Sequence, residues 1–243
     1  MKTFLHAGDM GDIIYALPTI RAFGGGILYL DTSGGEDDHH VAKQVGWRKR
    51  LKFNEACYVT LESLLEIQPY IFKVERFKGQ NVDINLNAFR RRLRTDNREN
   101  LMQSHLKHFG FKLKDSECTP WLTVPDSAER FERTIVINRS LRYHTAHIMW
   151  DSIVRVLEIK ADFIGSPFEH EVFCKTFNIE IPHFQCKDAL ALAQRIKAAE
   201  TFIGNQSMPM SLRIGMGLSF AQESYAKAAN CIFEGMDATY YFN

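Results

Sequence analysis

The sequence predicts an α/β protein built from two doubly wound halves that face each other across a cleft, and three observations carry that prediction. A strand, a tight turn, a helix and a second strand open the chain between Phe4 and Asp31, and the same alternation restarts at Thr134. Between them, residues 115–125 carry two prolines and no helical period. A strand returned to its sheet through a helix is a βαβ unit, which implies parallel strands and a right-handed crossover. The break places one half at residues 1–124 and the other at 125–243. A chain of 243 residues with 45% hydrophobic content is long enough to bury a core in each.

Taken in order, the apolar run from Phe4 stops at Gly8, and an amphipathic helix is expected from Asp12 to Ala22. Gly24-Gly25-Gly26 turns the chain into a strand at Ile27–Asp31. Glu36 to His40 reads as the start of a helix ending near Gly46. Leu61 to Phe72 has helical periodicity interrupted by Pro69, Val82 to Leu86 alternates like a strand, and Arg98 to Phe109 is a helix stopped by Gly110. In the second half the expected strands are Ile135–Asn138, Phe163–Gly165, Ile179–Ile181, Thr201–Gly204, Ser219–Gln222 and Cys231–Phe233. The expected helices are 148–157, 169–177, 188–199 and 209–215. The aromatic tail Tyr240-Tyr241-Phe242 is expected to fold back across the cleft onto the first half.

Composition narrows the function. No apolar run approaches the roughly 20 residues needed to span a bilayer, and a Gly-Asp turn stands where a signal peptide would keep its apolar segment, so no stable membrane insertion and a cytoplasmic location are expected. Five widely spaced cysteines without a Cys-x-x-Cys pair suggest free thiols rather than a disulfide framework or zinc ribbon. The net charge of +1 is distributed with a slightly basic first half and a slightly acidic second. Basic runs at Arg48–Lys52 and Arg90–Arg94 are each either a solvated face or a surface for a polyanion. His105/His108 and His144/His147 have helical spacing but no acidic or cysteine partner in register, so no metal site is expected.

Ligands of doubly wound sheets sit beyond the carboxyl ends of the strands, which places four loops at the cleft. The first is Gly8-Asp9-Met10-Gly11-Asp12, where glycine permits a sharp turn and the helix offers unpaired N–H groups. Its two aspartates would repel a phosphate lying against them, so one is a candidate proton acceptor. The same residue type also N-caps helices, so Asp12 reads as base or cap and Asp9 as turn former or supporting partner. The second loop, Asn138 to His144, offers Arg139, Ser140 and Arg142 to a diphosphate or to surface carboxylates. The third, Asn205-Gln206-Ser207, leads into a helix N-terminus. In the fourth, Glu223 is either an acceptor for ribose hydroxyls or a solvated loop acid.

Gly8-Asp9-Met10-Gly11-Asp12, with Pro18 and Arg21 downstream, resembles the N-terminal signature of the ADP-heptose:lipopolysaccharide heptosyltransferases, glycosyltransferase family 9, which have the GT-B fold of two Rossmann-like domains. Ile203-Gly204-Asn205-Gln206-Ser207 resembles the second signature, in the nucleotide-binding half. The resemblance implies an inverting, metal-independent transfer of a sugar from a nucleotide-sugar donor, with no cofactor. Asp12 would be the catalytic base, and Gly11, Arg139, Ser140, Arg142, Asn205, Gln206, Ser207 and Glu223 would hold the donor. The family's C-terminal signature carries Asp, Gly and His where this chain has Gln206, Met208 and Ser211, which separates it from the heptose enzymes at the donor site. The acceptor is a saccharide or lipid-linked sugar, or a hydroxylated base in nucleic acid tracked by Arg90–Arg94. The protein is a monomer or homodimer. A non-catalytic nucleotide-binding module is the competing reading. A dinucleotide oxidoreductase ranks below both, because the first loop lacks Gly-x-Gly-x-x-Gly.

Overall fold

The computed structural model describes residues 1–34, 36–37, 50–51, 53–90, 99–145, 150, 153, 160–225, 230–233 and 235–241. Two all-parallel sheets organise them. The first has the order β5-β2-β1-β6, from β1 (Lys2–His6), β2 (Gly26–Leu30), β5 (Ile71–Arg76) and β6 (Ile84–Asn85). The second has the order β11-β10-β9-β7-β8, from β7 (Ile135–Asn138), β8 (Ala161–Phe163), β9 (Thr201–Asn205), β10 (Phe220–Glu223) and β11 (Ala238–Tyr241). A two-residue antiparallel pair, β3 (Glu36–Asp37) with β4 (Arg50–Leu51), stands apart. The longer helices among the described residues are α1 (Met10–Ala22), α2 (Glu55–Glu66), α3 (Leu101–His108), α4 (Pro167–Phe177), α5 (Ala189–Lys197) and α6 (Met208–Gly215), and a single helical turn stands at Asp115–Cys118, where the sequence shows no helical period.

Helix α1 is the hinge of the packing. Every residue from Ile13 to Ile20 is buried, because the helix lies against both α3 of its own half and α6 of the other. A helix that is apolar on all sides is a core helix. Pro18 sits inside it and supplies no N–H to the carbonyl of Ile14 four residues back, and Trp121 Nε1 fills that vacancy, donating to Ile14 O at 3.1 Å. The proline-bearing segment at 118–124 is therefore laced to both halves. Arg21 donates to the carbonyls of Pro120 and Cys118, Trp121 and Leu122 donate to Gly215 O, and Tyr70 donates to Trp121 O.

Several elements differ from the sequence reading. The expected helix over 61–72 is instead α2, begun six residues earlier where Asn54 Oδ1 accepts from Cys57 N, followed by strand β5 after Pro69. Glu36–Asp37 is strand rather than helix; the remainder of that predicted helix lies outside the described residues, as does most of 148–157, of which Trp150 and Ile153 are helical. Ile179 and Ile181 pack in the second core as coil, and only a bridge from His183 to Phe163 reaches the sheet. Cys231–Phe233 is not a strand: Phe233 drops between the halves, its ring 5.5 Å from that of Tyr15 and 6.0 Å from Trp121. The last strand is β11, and Tyr240 stays in its own half, its hydroxyl donating to Phe233 O and accepting from Phe233 N. Tyr240 and Tyr241 thus add to the second sheet instead of crossing the cleft, because the β10 edge offers them a ladder, and Phe242 lies outside the described residues.

Candidate functional site

The carboxyl ends of β1, β7 and β9 open onto one cavity of about 660 Å³ between the halves. Its walls include Asp9, Gly11 and Asp12 from the first half and Ser140, Arg142 and Ser207 from the second. Two helix N-termini converge there. The N-cap residues, Asp9 of α1 and Ser207 of α6, make no side-chain cap hydrogen bond, so the first-turn N–H groups of both helices lack a cap. Gly11 brings the two together: a Cβ at Gly11 would lie 3.7 Å from Met208 Cα.

Asp12 is not the cap that its residue type also suggested. Helix α1 begins at Met10, which puts Asp12 in the first turn, where its Oδ2 accepts from Arg90 Nη2 at 2.8 Å. Its side chain is partly exposed, at 18%. Behind it His6, fully buried, accepts from Gly8 N through Nδ1 at 2.9 Å. Burial, helped by the Arg90 charge, holds this imidazole neutral and moves its pKa from 6.5 down to about 3.

The second loop divides its two arginines. Arg142 faces the cavity and lies 3.5 Å from Asp9 across the cleft. Arg139 turns inward and grips Glu223 with two bonds, Nε to Oε2 at 2.8 Å and Nη2 to Oε1 at 3.0 Å. Glu223 is fully buried and also accepts from Thr145 N at 2.8 Å and Trp150 Nε1 at 3.0 Å. A carboxylate with no solvent needs such partners, so this pair holds the β10 end to the β7 loop instead of lining the cavity. Asn205, also buried, is a clamp: its Oδ1 accepts from Ser140 N at 2.9 Å and its Nδ2 donates to Ser140 O and Arg142 O. Gln206 lines the cavity, but its Oε1 accepts from Tyr225 N and its Nε2 donates to Asn230 Oδ1. Ser207 donates to Asn138 Oδ1 at 2.7 Å.

Asn138, which sequence reasoning placed at the start of a cleft loop without giving it a role, has one. It is buried at the β7 end, lines the cavity and donates to Ile164 O, so it ties β7, β8 and the start of α6 together. Its position as the last residue of a predicted strand was the available signal. The thiols of Cys186 and Cys231 also line the cavity, and burial raises their pKa values to about 12 and about 11, so both are protonated and not nucleophilic at neutral pH. Among the described residues, no group of three or more His, Cys, Asp or Glu side chains is arranged to hold a metal ion.

Two solved structures share this architecture. A family 9 glycosyl transferase from Veillonella parvula superposes with a TM-score of 0.59 at 10% identity, covering 100% of this chain and 86% of its own. The E. coli heptosyltransferase WaaC, solved with ADP-2-deoxy-2-fluoro heptose, gives 0.51 at 9% identity, covering 98% and 92%. No protein-family model matches the sequence, and no curated protein matches it. The fold expected from the two signatures is the fold the chain has.

Proposed function

We propose that this protein is an inverting glycosyltransferase that moves a sugar from a nucleotide-sugar donor to an acceptor hydroxyl. The observation that carries the reading is the placement of Asp12: a partly exposed carboxylate in the first turn of one helix, facing the uncapped N-terminus of another and Arg142 across a single cavity. The acceptor hydroxyl gives its proton to Asp12 as its oxygen bonds the anomeric carbon. The bond from that carbon to the diphosphate breaks, with its electron pair leaving on the diphosphate oxygen, and attack from the opposite face inverts the configuration. Arg142 and the α6 N-terminus meet the charge that develops on the leaving group, joined by the Ser140 and Ser207 hydroxyls once these turn from Asn205 and Asn138 to the diphosphate, so the reading calls for no metal. The donor bound by the E. coli neighbour supports a nucleotide sugar as the class. The acceptor is a saccharide or lipid-linked sugar, or a hydroxylated nucleic-acid base, and the setting is cytoplasmic.

One observation favours the competing reading of a non-catalytic nucleotide-binding module. Gln206, at the position of the family's acid, spends its amide on Tyr225 and Asn230. The test separates the two. Wild-type protein is screened by thermal shift against UDP, ADP, GDP, CDP, TDP and NAD, with EDTA present, and then assayed for nucleoside diphosphate release from the matching nucleotide sugars. Asp12→Asn is expected to keep the thermal shift and lose about 10²–10⁴-fold in release. Equal release by wild type and Asp12→Asn would refute the role of Asp12, and a shift without release in either would favour the binding module.

A further inference from the structure

The run that begins at Arg90 is, from sequence, a solvated face or a polyanion-tracking surface. Its first member has a different position. We infer that Arg90 is the positioning residue for Asp12, an inference that rests on the reading of Asp12 as the base. Arg90 Nη2 holds Asp12 Oδ2 at 2.8 Å, while Asp12 Oδ1 accepts no hydrogen bond among the described residues. One oxygen is tied and the other is left to receive the acceptor's proton.

Three features dedicate the local structure to this contact. Gly8 leaves the slot open: a Cβ there would fall 2.6 Å from Arg90 Nη2 and 2.5 Å from His6 Cε1, so the guanidinium and the imidazole both use the space a side chain would take. The 3₁₀ helix Leu86–Phe89, which ends at Arg90, is fastened to the residue before Gly8 by Ala7 N donating to Asn87 Oδ1 at 2.9 Å, and is capped from within by Asn85 Oδ1, which accepts from Asn87 N at 3.0 Å. Phe89 is buried and stacked on His105 at 3.6 Å, and the Arg90 guanidinium lies 5.2 Å from the Phe89 ring centroid. The backbone segments that carry the two partners are therefore held by contacts other than the pair itself. A half-exposed ion pair contributes little to stability. Holding a reacting group in register contributes much more to rate, because a misplacement of about 1 Å costs roughly 10²-fold.

The test is a double-mutant cycle on turnover, using wild type, Arg90→Ala, Asp12→Asn and the double variant. The probe is the nucleotide sugar whose nucleoside diphosphate gives the largest thermal shift, and the readout is diphosphate release, followed for hours to reach residual rates. Arg90→Ala is expected to lower kcat by about 10–100-fold while leaving donor KM and the diphosphate-induced shift unchanged. Arg90→Lys and added guanidinium are each expected to restore part of it. On the Asp12→Asn background, Arg90→Ala is expected to cost nothing further, since a residue that acts through Asp12 has nothing left to act on. A loss that persists on Asp12→Asn, a loss confined to KM, or wild-type turnover by Arg90→Ala while Asp12→Asn is inactive would overturn the inference alone. Failure of the underlying reading looks different: wild type releases no diphosphate, or Asp12→Asn releases it at the wild-type rate, and both assignments then fall together.

Discussion

Replacing Arg139 with Met strips a fully buried carboxylate of its counter-charge. In the wild type, Glu223 accepts two bonds from the guanidinium, one from Thr145 N and one from the Trp150 indole, and the carboxylate is closed to solvent. The substitution leaves only neutral donors, from Thr145 and Trp150. Breaking a buried pair in this way costs about 3–5 kcal/mol. A chain of this length loses roughly 2–4 °C of melting temperature per kcal/mol, so Arg139→Met is expected to melt about 6–20 °C lower. Adding Glu223→Gln removes the stranded charge while the amide oxygen still accepts from Thr145 or Trp150, so the double variant is expected to regain more than half of the loss. Differential scanning fluorimetry at neutral pH reads both. A loss below about 1 kcal/mol for Arg139→Met, or a double variant no better than the single one, would refute the account of Arg139 as the partner of Glu223. Nucleotide binding offers a second check. A folded Arg139→Met that has lost its diphosphate-induced shift would mean that the guanidinium reaches the ligand after all.

Two further outcomes follow from groups beneath the cavity. His6 and His105 are both fully buried and held neutral, with pKa values depressed chiefly by burial, that of His6 from 6.5 to about 3. Their unfolded forms take up protons near pH 6.5, so stability is complete above that pH and falls below it, by up to about 1.4 kcal/mol per pH unit for each histidine. Melting temperature is therefore expected to be flat from pH 8 to 7 and to drop steeply from 6.5 toward 5. His105→Phe, which removes two ring nitrogens that have no hydrogen-bond partner among the described residues, is expected to make that drop shallower, and an unchanged acid limb would count against it. Gly8→Ala and Gly11→Ala form a contrasting pair. The first drives a methyl to 2.5 Å from His6 and 2.6 Å from Arg90 and is expected to cost about 1–3 kcal/mol, while the second meets Met208 at an ordinary 3.7 Å and is expected to fold like wild type, as urea unfolding would show.

The parts of this protein that were legible in the sequence are those written in local chemistry. The turn at Gly8–Asp12 was readable because glycine and aspartate interrupt an apolar run, and β7 was found at Ile135–Asn138, its observed bounds, because three β-branched residues run from Ile135 to Ile137 and end at a polar Asn138. What failed depended on distance. Arg139 and Glu223 each look like ligand groups at strand ends, and only their burial against one another, 84 residues apart, reveals a structural pair. Cys231-Ile232-Phe233 has the composition of a strand, but three apolar residues cannot distinguish a strand from a plug, and the space between Tyr15 and Trp121 decided it. Trp121 itself looked like linker. Its role in satisfying the carbonyl stranded by Pro18 needed both residues in view at once.

The three arginine–carboxylate pairs around the cavity differ in a way that bears on how a dianionic ligand would be received. Arg139–Glu223 is bidentate and buried, with side-chain exposures of 10% and 0%, so a diphosphate that recruited Arg139 would have to leave Glu223 charged and unpaired. Arg142–Asp9 is the opposite: one contact at 3.5 Å, with both side chains more than a quarter exposed and the two partners on different halves. Separating it costs little, because solvent already screens much of its attraction. On the proposed reading, a diphosphate entering between the halves would compete for Arg142 and not for Arg139, and would be met by that one partly exposed guanidinium together with the N–H groups of the α6 N-terminus. Arg90–Asp12 lies between these extremes, with one oxygen held and one open. On that reading the charge carried by the ligand would exchange only the weakest of the three pairs, and the Arg90–Asp12 contact would be left in place while the site fills.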